Sequence, residues 1–189
     1  MSINPVYHQT SSKLDQERVW VQRAKKNPED FGPLYRKYHE QIFRYVHQRM
    51  DDTEQAFDVT SQVFLKAIKN IHKFEFRGVP FGSWLYRIAK SELYQAFRDR
   101  KVKRAVNIET LHITEIIEEM DEVINDENQK RLFNAIAQLK EEDVQILELR
   151  YFEKRPYREI GEILEITENN AKVKSFRVLE KLKKIIFKN

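Results

Sequence analysis

The stretch that most constrains this chain is Pro156-Tyr157-Arg158-Glu159-Ile160-Gly161-Glu162-Ile163-Leu164-Glu165-Ile166-Thr167-Glu168-Asn169-Asn170-Ala171-Lys172-Val173-Lys174-Ser175-Phe176-Arg177. Pro156 suits a first helical turn, where its missing N–H has no intrahelical partner to lose. Ile160, Ile163 and Leu164 give the helix that follows one apolar face. Thr167 is a good N-cap, and Glu168 sits favourably against the positive end of a second helix. The inward stripe of that helix is Ala171, Ser175, Val178, Leu182 and Ile185, and its outward side carries Asn169, Asn170, Lys172, Val173, Phe176 and Arg177. A solvated amphipathic hairpin satisfies the same periodicity, but two short helices around a tight turn with a basic outer face are the pattern of a DNA-reading helix-turn-helix.

Composition supports helices throughout. Only 4 Gly and 5 Pro occur among 189 residues, while 34% are charged, which favours helices with short connections and predicts an all-α fold. With no cysteine, neither a disulfide framework nor a thiolate metal site can form. No apolar run approaches the roughly 20 residues that span a bilayer, and Met1 to Lys13 lacks a signal-peptide core. The expectation is a cytoplasmic protein without membrane insertion.

The net charge of +4 is unevenly spread. Residues 1–110 hold 20 Lys/Arg against 13 Asp/Glu, residues 111–130 hold 1 against 7, and residues 131–189 hold 13 against 10. Two basic segments with their own apolar periodicities therefore flank an acidic stretch. The reading is two helical domains, 14–104 and 128–187, joined by an acidic linker at 105–127, partly helical or simply a solubilising spacer.

The first domain divides into four helices. Leu14 to Lys26 is the first, and Asn27-Pro28-Glu29-Asp30 is a stop followed by a start. The second buries Phe31, Leu34, Tyr35, Tyr38, Ile42, Tyr45 and Val46. After Asp51-Asp52-Thr53, the third carries Val59, Val63, Phe64, Ala67, Ile68 and Ile71 inward and a polar row, Asp58, Gln62 and Lys66, outward. A loop, Phe74 to Gly82, precedes a fourth helix capped by Ser83 and ending in Arg98, Arg100, Lys101, Lys103 and Arg104. Rings and cations alternate here: Phe74, Phe76, Arg77, Phe81, Trp84, Tyr86, Arg87, Lys90 and Tyr94. That mixture suits a surface that holds unstacked bases while tracking a phosphate backbone, although Trp84, Leu85 and Ile88 taken singly suit a core better than a base contact, and Phe74 or Phe81 can serve to pin the loop. The five cations at the helix end suit backbone phosphates.

No catalytic constellation competes with binding. His8, His39, His47, His72 and His112 are scattered, no HExxH motif or glycine-rich phosphate loop occurs, and neither a metal nor another cofactor is implied. Noncatalytic readings therefore lead: a helix-turn-helix regulator that binds an operator as a dimer, and a helical adaptor that binds protein alone, are two of them.

Taken in order, Phe57-Asp58-Val59-Thr60-Ser61-Gln62-Val63-Phe64-Leu65-Lys66-Ala67, Trp84-Leu85-Tyr86-Arg87-Ile88-Ala89 and the helix-turn-helix resemble the two-domain extracytoplasmic-function (ECF) sigma factors of the sigma-70 family. The resemblance implies a subunit that directs bacterial RNA polymerase core to promoter DNA and is held in check by an anti-sigma protein. By the same resemblance, Asp58, Ser61, Gln62 and Lys66 face the polymerase. Phe76, Arg77, Gly78, Val79 and Pro80, with Ser91, form a pocket for a base extruded from the downstream (minus 10) element. Trp84 and Arg87 belong to the same downstream-element set, and Arg98, Arg100 and Lys101 hold neighbouring backbone. The second domain reads the upstream (minus 35) element through Asn169, Asn170, Lys172, Val173, Phe176 and Arg177. Arg150, Tyr157 and Arg158, flanking the first helix of the motif, are placed for phosphates. The chain departs from the family pattern at Ser61 followed by Gln62, at Ser91 where Asn is common, at Ser175 on the inward stripe, and at Glu165 in a turn position often held by Gly.

Overall fold

The computed structural model describes residues 11–50, 52–100, 110–121 and 125–186. The chain forms two compact units, 1–105 and 106–189. Both are helical, with no strand among the described residues.

The first unit begins with α1 (Ser11–Lys26). Asn27 then accepts the amide of Glu29 at 3.2 Å, and Pro28–Phe31 makes a single tight turn that runs into α2 (Gly32–His47). This is the physical form of the stop and restart expected there. On α2, Leu34, Tyr38, Ile42, Tyr45 and Val46 are buried, whereas Tyr35 lies at the edge with its ring 4.9 Å from that of Phe64. Asp52 caps α3 (Thr53–Asn70) by accepting the amides of Glu54 at 2.8 Å and Gln55 at 3.3 Å. Hydrogen bonds from Gln55 hold the Asp52 carboxyl below the usual carboxylate range. Val59, Val63, Phe64 and Ala67 of α3 face inward, as their spacing requires.

The fourth helix, α4 (Phe81–Arg100), starts two residues before the expected cap. Ser83 is buried within the first turn, and its amide bonds the Pro80 carbonyl at 3.0 Å. The group that receives the first amide of α4 is the carboxylate of Glu17, which accepts from Phe81 N at 2.5 Å. A partner 64 positions away leaves no local trace in the sequence, whereas a serine beside a helix start does.

In the second unit α5 (Thr110–Glu119) precedes α6 (Asp126–Ile136) and α7 (Glu141–Leu147), and α7 passes into a π-helical turn at Glu148–Phe152. Then come α8 (Tyr157–Leu164) and α9 (Glu168–Ile186). The stretch expected as a linker is thus not all connector. Ile113, Ile116, Ile117 and Met120 lie at the i, i+3, i+4, i+7 positions of one helical face. They are buried in one core with Leu132, Ile136, Leu147, Val178 and Leu182. Lys154 reaches back to form an ion pair with Glu115. The acidic side chains occupy the remaining faces of α5: Glu118 and Glu119 are exposed, as is Asp121 just beyond the helix.

Candidate nucleic-acid and partner interfaces

Three exposed faces carry the residues singled out above. The first is on α3, where Asp58, Ser61, Gln62 and Lys66 are all exposed while Val59, Val63 and Ala67 are buried. Lys66 also pairs with Glu92 of α4, so one end of the polar row is held in place. Two residues absent from the sequence-derived set complete the face. Phe57 and Leu65 are 49% and 47% exposed and with Ser61 form a second row at i, i+4, i+8 beside the polar one. Phe57 is supported from below by Phe43, ring centroids 4.3 Å apart. Their signal was available in the sequence as large apolar residues out of phase with the buried stripe. The face therefore offers apolar contact area together with orienting polar groups, a usual composition for a protein interface.

The second face is the loop before α4 and the helix itself. Gly78 has φ 73°, in the left-handed region that a Cβ disfavours. Val79 and Pro80 are buried, so their side chains hold the loop down instead of facing outward. Phe76 is half-buried, and the Arg77 side chain, 60% exposed, lies 3.8 Å from Glu75. Trp84 is half-buried against Phe74 and Phe81, both ring centroids at 5.4 Å. Phe74, Phe81 and Tyr86 belong to the core, and Tyr86 packs edge-on against Tyr45 at 4.8 Å, so these three rings present no free face in this fold. The alternation of rings and cations along the sequence thus separates, once folded, into an inner aromatic cluster and an outer stripe. That outer stripe is Trp84, Arg87, Ser91, Tyr94 and Arg98, which at helical rise extends about 21 Å along α4. Ser91, Tyr94 and Arg98 are exposed and Arg87 is half-buried. The Arg100 side chain and Lys101 lie outside the described residues.

The third face is the helix-turn-helix, α8 followed by α9. Thr167 Oγ1 accepts the Asn170 amide at 3.1 Å, which satisfies one of the amides left open at a helix start. Glu165, at the turn position where glycine is common, adopts φ 59° and ψ 40°. Asn169, Asn170, Lys172, Val173, Phe176 and Arg177 are all exposed, with Phe176 at 64%. Lys174 joins them as a further cation. Inward, Ala171, Ser175, Val178, Leu179 and Leu182 are buried. Ser175 is fully buried and receives the Tyr157 hydroxyl at 3.5 Å, a contact between the two helices of the motif that explains a polar residue on the apolar stripe. The Arg150 guanidinium lies over the Tyr157 ring at 4.7 Å and donates to the Arg155 carbonyl at 3.4 Å. Arg150 and Tyr157 are therefore preorganised at the edge of the motif, and Arg158 beside them is exposed. Beneath, Arg155 and Glu159 form a buried pair at 3.2 Å.

Among the described residues no three potential ligands gather into a metal site, and no helix is long and apolar enough to cross a membrane.

An aromatic-cationic loop on one helical unit and a helix-turn-helix on another define a two-domain, all-α DNA-binding protein. The chain belongs to the sigma-70 family, in its ECF group of RNA polymerase sigma factors: the sigma-70 region 2 model matches residues 34–102 and the region 4 model residues 135–184. It is similar to the ECF RNA polymerase sigma factor BldN of Streptomyces coelicolor, 27% identical over 88% of this chain and 64% of BldN. It thus spans about two-thirds of that relative's length. SigW of Bacillus subtilis is 25% identical over 87% of this chain and 93% of SigW. The RNA polymerase sigma-H factor of Pseudomonas aeruginosa is 29% identical over 93% and 95%. Among solved structures, CnrH in complex with the cytosolic domain of CnrY shares the fold, with a TM-score of 0.63, 16% identity, and coverage of 92% of this chain and 98% of that one.

Proposed function

We propose that the three faces divide the work of a sigma factor among them. The α3 face docks on the polymerase core, the loop and outer stripe of α4 engage the downstream element, and α9 reads the upstream element as duplex. The observation that supports this reading is that each face has its own chemistry and presents side chains to solvent. The α3 face is mixed polar and apolar, the second is ring and cation, and the third is a capped helix whose outer side bears Lys172, Lys174 and Arg177. The protein acts in the cytoplasm as a noncatalytic monomer within the holoenzyme, needs no cofactor, and has as its antagonist an anti-sigma protein that covers one or both units. A dimeric regulator working without polymerase leaves the α3 face without a use.

Reversing charge at Asp58 and truncating Gln62 to Ala changes two of the orienting groups of the α3 face at exposed positions. Binding to core should weaken by about tenfold or more. Unfolding should be unchanged, since both positions are exposed. Retention of the double variant by immobilised core polymerase measures this, and retention equal to that of the parent contradicts the docking assignment.

The promoter faces separate by salt and by sequence. Arg158→Ala, at a phosphate-facing position, should weaken every upstream element alike and lower the salt slope of binding by roughly one ion. Arg177→Ala should cost about 1–3 kcal/mol at one base pair only. Titrating holoenzyme against upstream-element variants at several salt concentrations distinguishes the two. Loss from neither Lys172→Ala nor Arg177→Ala would refute α9 as the reading face.

A further inference from the structure

Helix α1 lies outside the residues matched by either family model, yet it touches the loop before α4 at two places and the first residue of α4 at a third. The Lys25 ammonium donates to the carbonyl of Phe74 at 2.6 Å. The Arg18 guanidinium stands over the Phe76 ring, 4.8 Å from its centroid. The Glu17 carboxylate accepts the amide of Phe81 at 2.5 Å. One helix therefore holds the residue that enters the loop, a ring in its middle and the residue that leaves it.

The anchor at Glu17 is strongly built. Its side chain is fully buried, one oxygen taking Phe81 N while the other takes the Tyr38 hydroxyl and, at 2.8 Å, the Lys37 ammonium. A carboxylate at the first amide of a helix also complements the positive end of the helix dipole. Tyr38 presses on the same turn: a Cβ at Gly82 would come within 2.5 Å of its ring. The start of α4 is thus fixed against α1 and α2 together. Between the anchors, Gly78 allows conformations that other residues do not, so a loop of this sequence needs external contacts to hold Phe76 and Arg77 in one arrangement. Arg18 supplies such a contact and is itself exposed, on the same side as the half-buried Phe76.

We infer that α1 is the brace that sets the geometry of the downstream-element loop, with Glu17, Arg18 and Lys25 as positioning residues for base preference. This rests on the reading that the loop contacts the downstream element. Changing the brace alters which base the loop prefers and leaves polymerase docking alone, because the α3 face shares no side chain with the brace.

The test reconstitutes holoenzyme from purified core polymerase and the full chain and scores open-complex formation, by permanganate reactivity, on promoters varied at each downstream position. Arg18→Met and Lys25→Met carry the test, since neither side chain is buried and both variants should fold. Each should shift base preference by about two- to fivefold while core binding and thermal unfolding match the parent. Arg18→Lys, which keeps a cation over the ring, should restore most of the parental preference. Phe76→Ala runs in parallel to test the loop itself. A shifted preference for Phe76→Ala with parental preference for both methionine variants overturns the brace and spares the loop. Parental preference for all three variants removes the loop reading and the brace with it.

Discussion

Gly161→Ala is expected to destabilise the second unit by about 1–3 kcal/mol, the usual cost of forcing extra volume into a packed site. A Cβ at Gly161 would lie 2.8 Å from the carbonyl oxygen of Ile166, 3.2 Å from the amide nitrogen of Glu168 and 3.3 Å from the carbonyl carbon of Thr167. All three are backbone atoms, two in the turn between α8 and α9 and one at the first residue of α9, and the Gly161 carbonyl also accepts the Ile166 amide at 2.9 Å. The turn cannot swing away as a flexible side chain would. Relief of the contact moves the start of α9, so recognition of the upstream element should fall with stability. Glu165→Gly acts in the opposite sense. Its φ of 59° is costly for any residue with a Cβ, and glycine removes that cost, less its own greater freedom in the unfolded chain, for a gain below about 1 kcal/mol. Both tryptophans, Trp20 and Trp84, lie in the first unit, so tryptophan fluorescence does not follow the second. Hydrogen exchange at the amides of α8 and α9 does, and protection of the Gly161→Ala variant equal to that of the parent contradicts the packing described.

Ile116→Ala carries a comparable or larger expected effect, and it separates a folded α5 from a spacer. Ile116 is fully buried among α5, α6 and α9 residues of the second core. Truncation should cost about 2–5 kcal/mol through lost burial and the cavity left behind. An unstructured connector would tolerate the same change without effect. Exchange at the α9 amides is again the measurement, with loss of protection expected and parental protection contradicting the assignment of α5 to the second unit.

The helix-turn-helix was legible in the sequence because its signals are local. Thr167 caps the helix it precedes, and Ala171, Ser175, Val178 and Leu182 fall on the buried side at the expected spacing. The α3 face was legible for the same reason. In the 111–130 stretch, net negative charge concealed an apolar face that was equally present, since four buried positions are few beside the acidic residues around them. The role of Tyr86 was obscured by taking aromatic and basic residues together without their helical phase. One position from Leu85 and three from Ala89, both buried, Tyr86 faces inward. Phase also identifies Phe57 and Leu65 as outward. Glu17 and Ser175 are different: a buried carboxylate whose partners come from α2 and α4, and a buried hydroxyl whose partner is Tyr157, depend on contacts that only the folded chain brings together.

The most direct test of the central claim is transcription in vitro, with purified core polymerase, this chain and a promoter library varied at both elements. The expected result is a set of transcription starts that appear only when core and chain are both present. Those starts should weaken when either the downstream or the upstream element is changed. Sequence-specific duplex binding by the chain alone, with no start added to those of core polymerase, would contradict a sigma factor and support a regulator that works without polymerase.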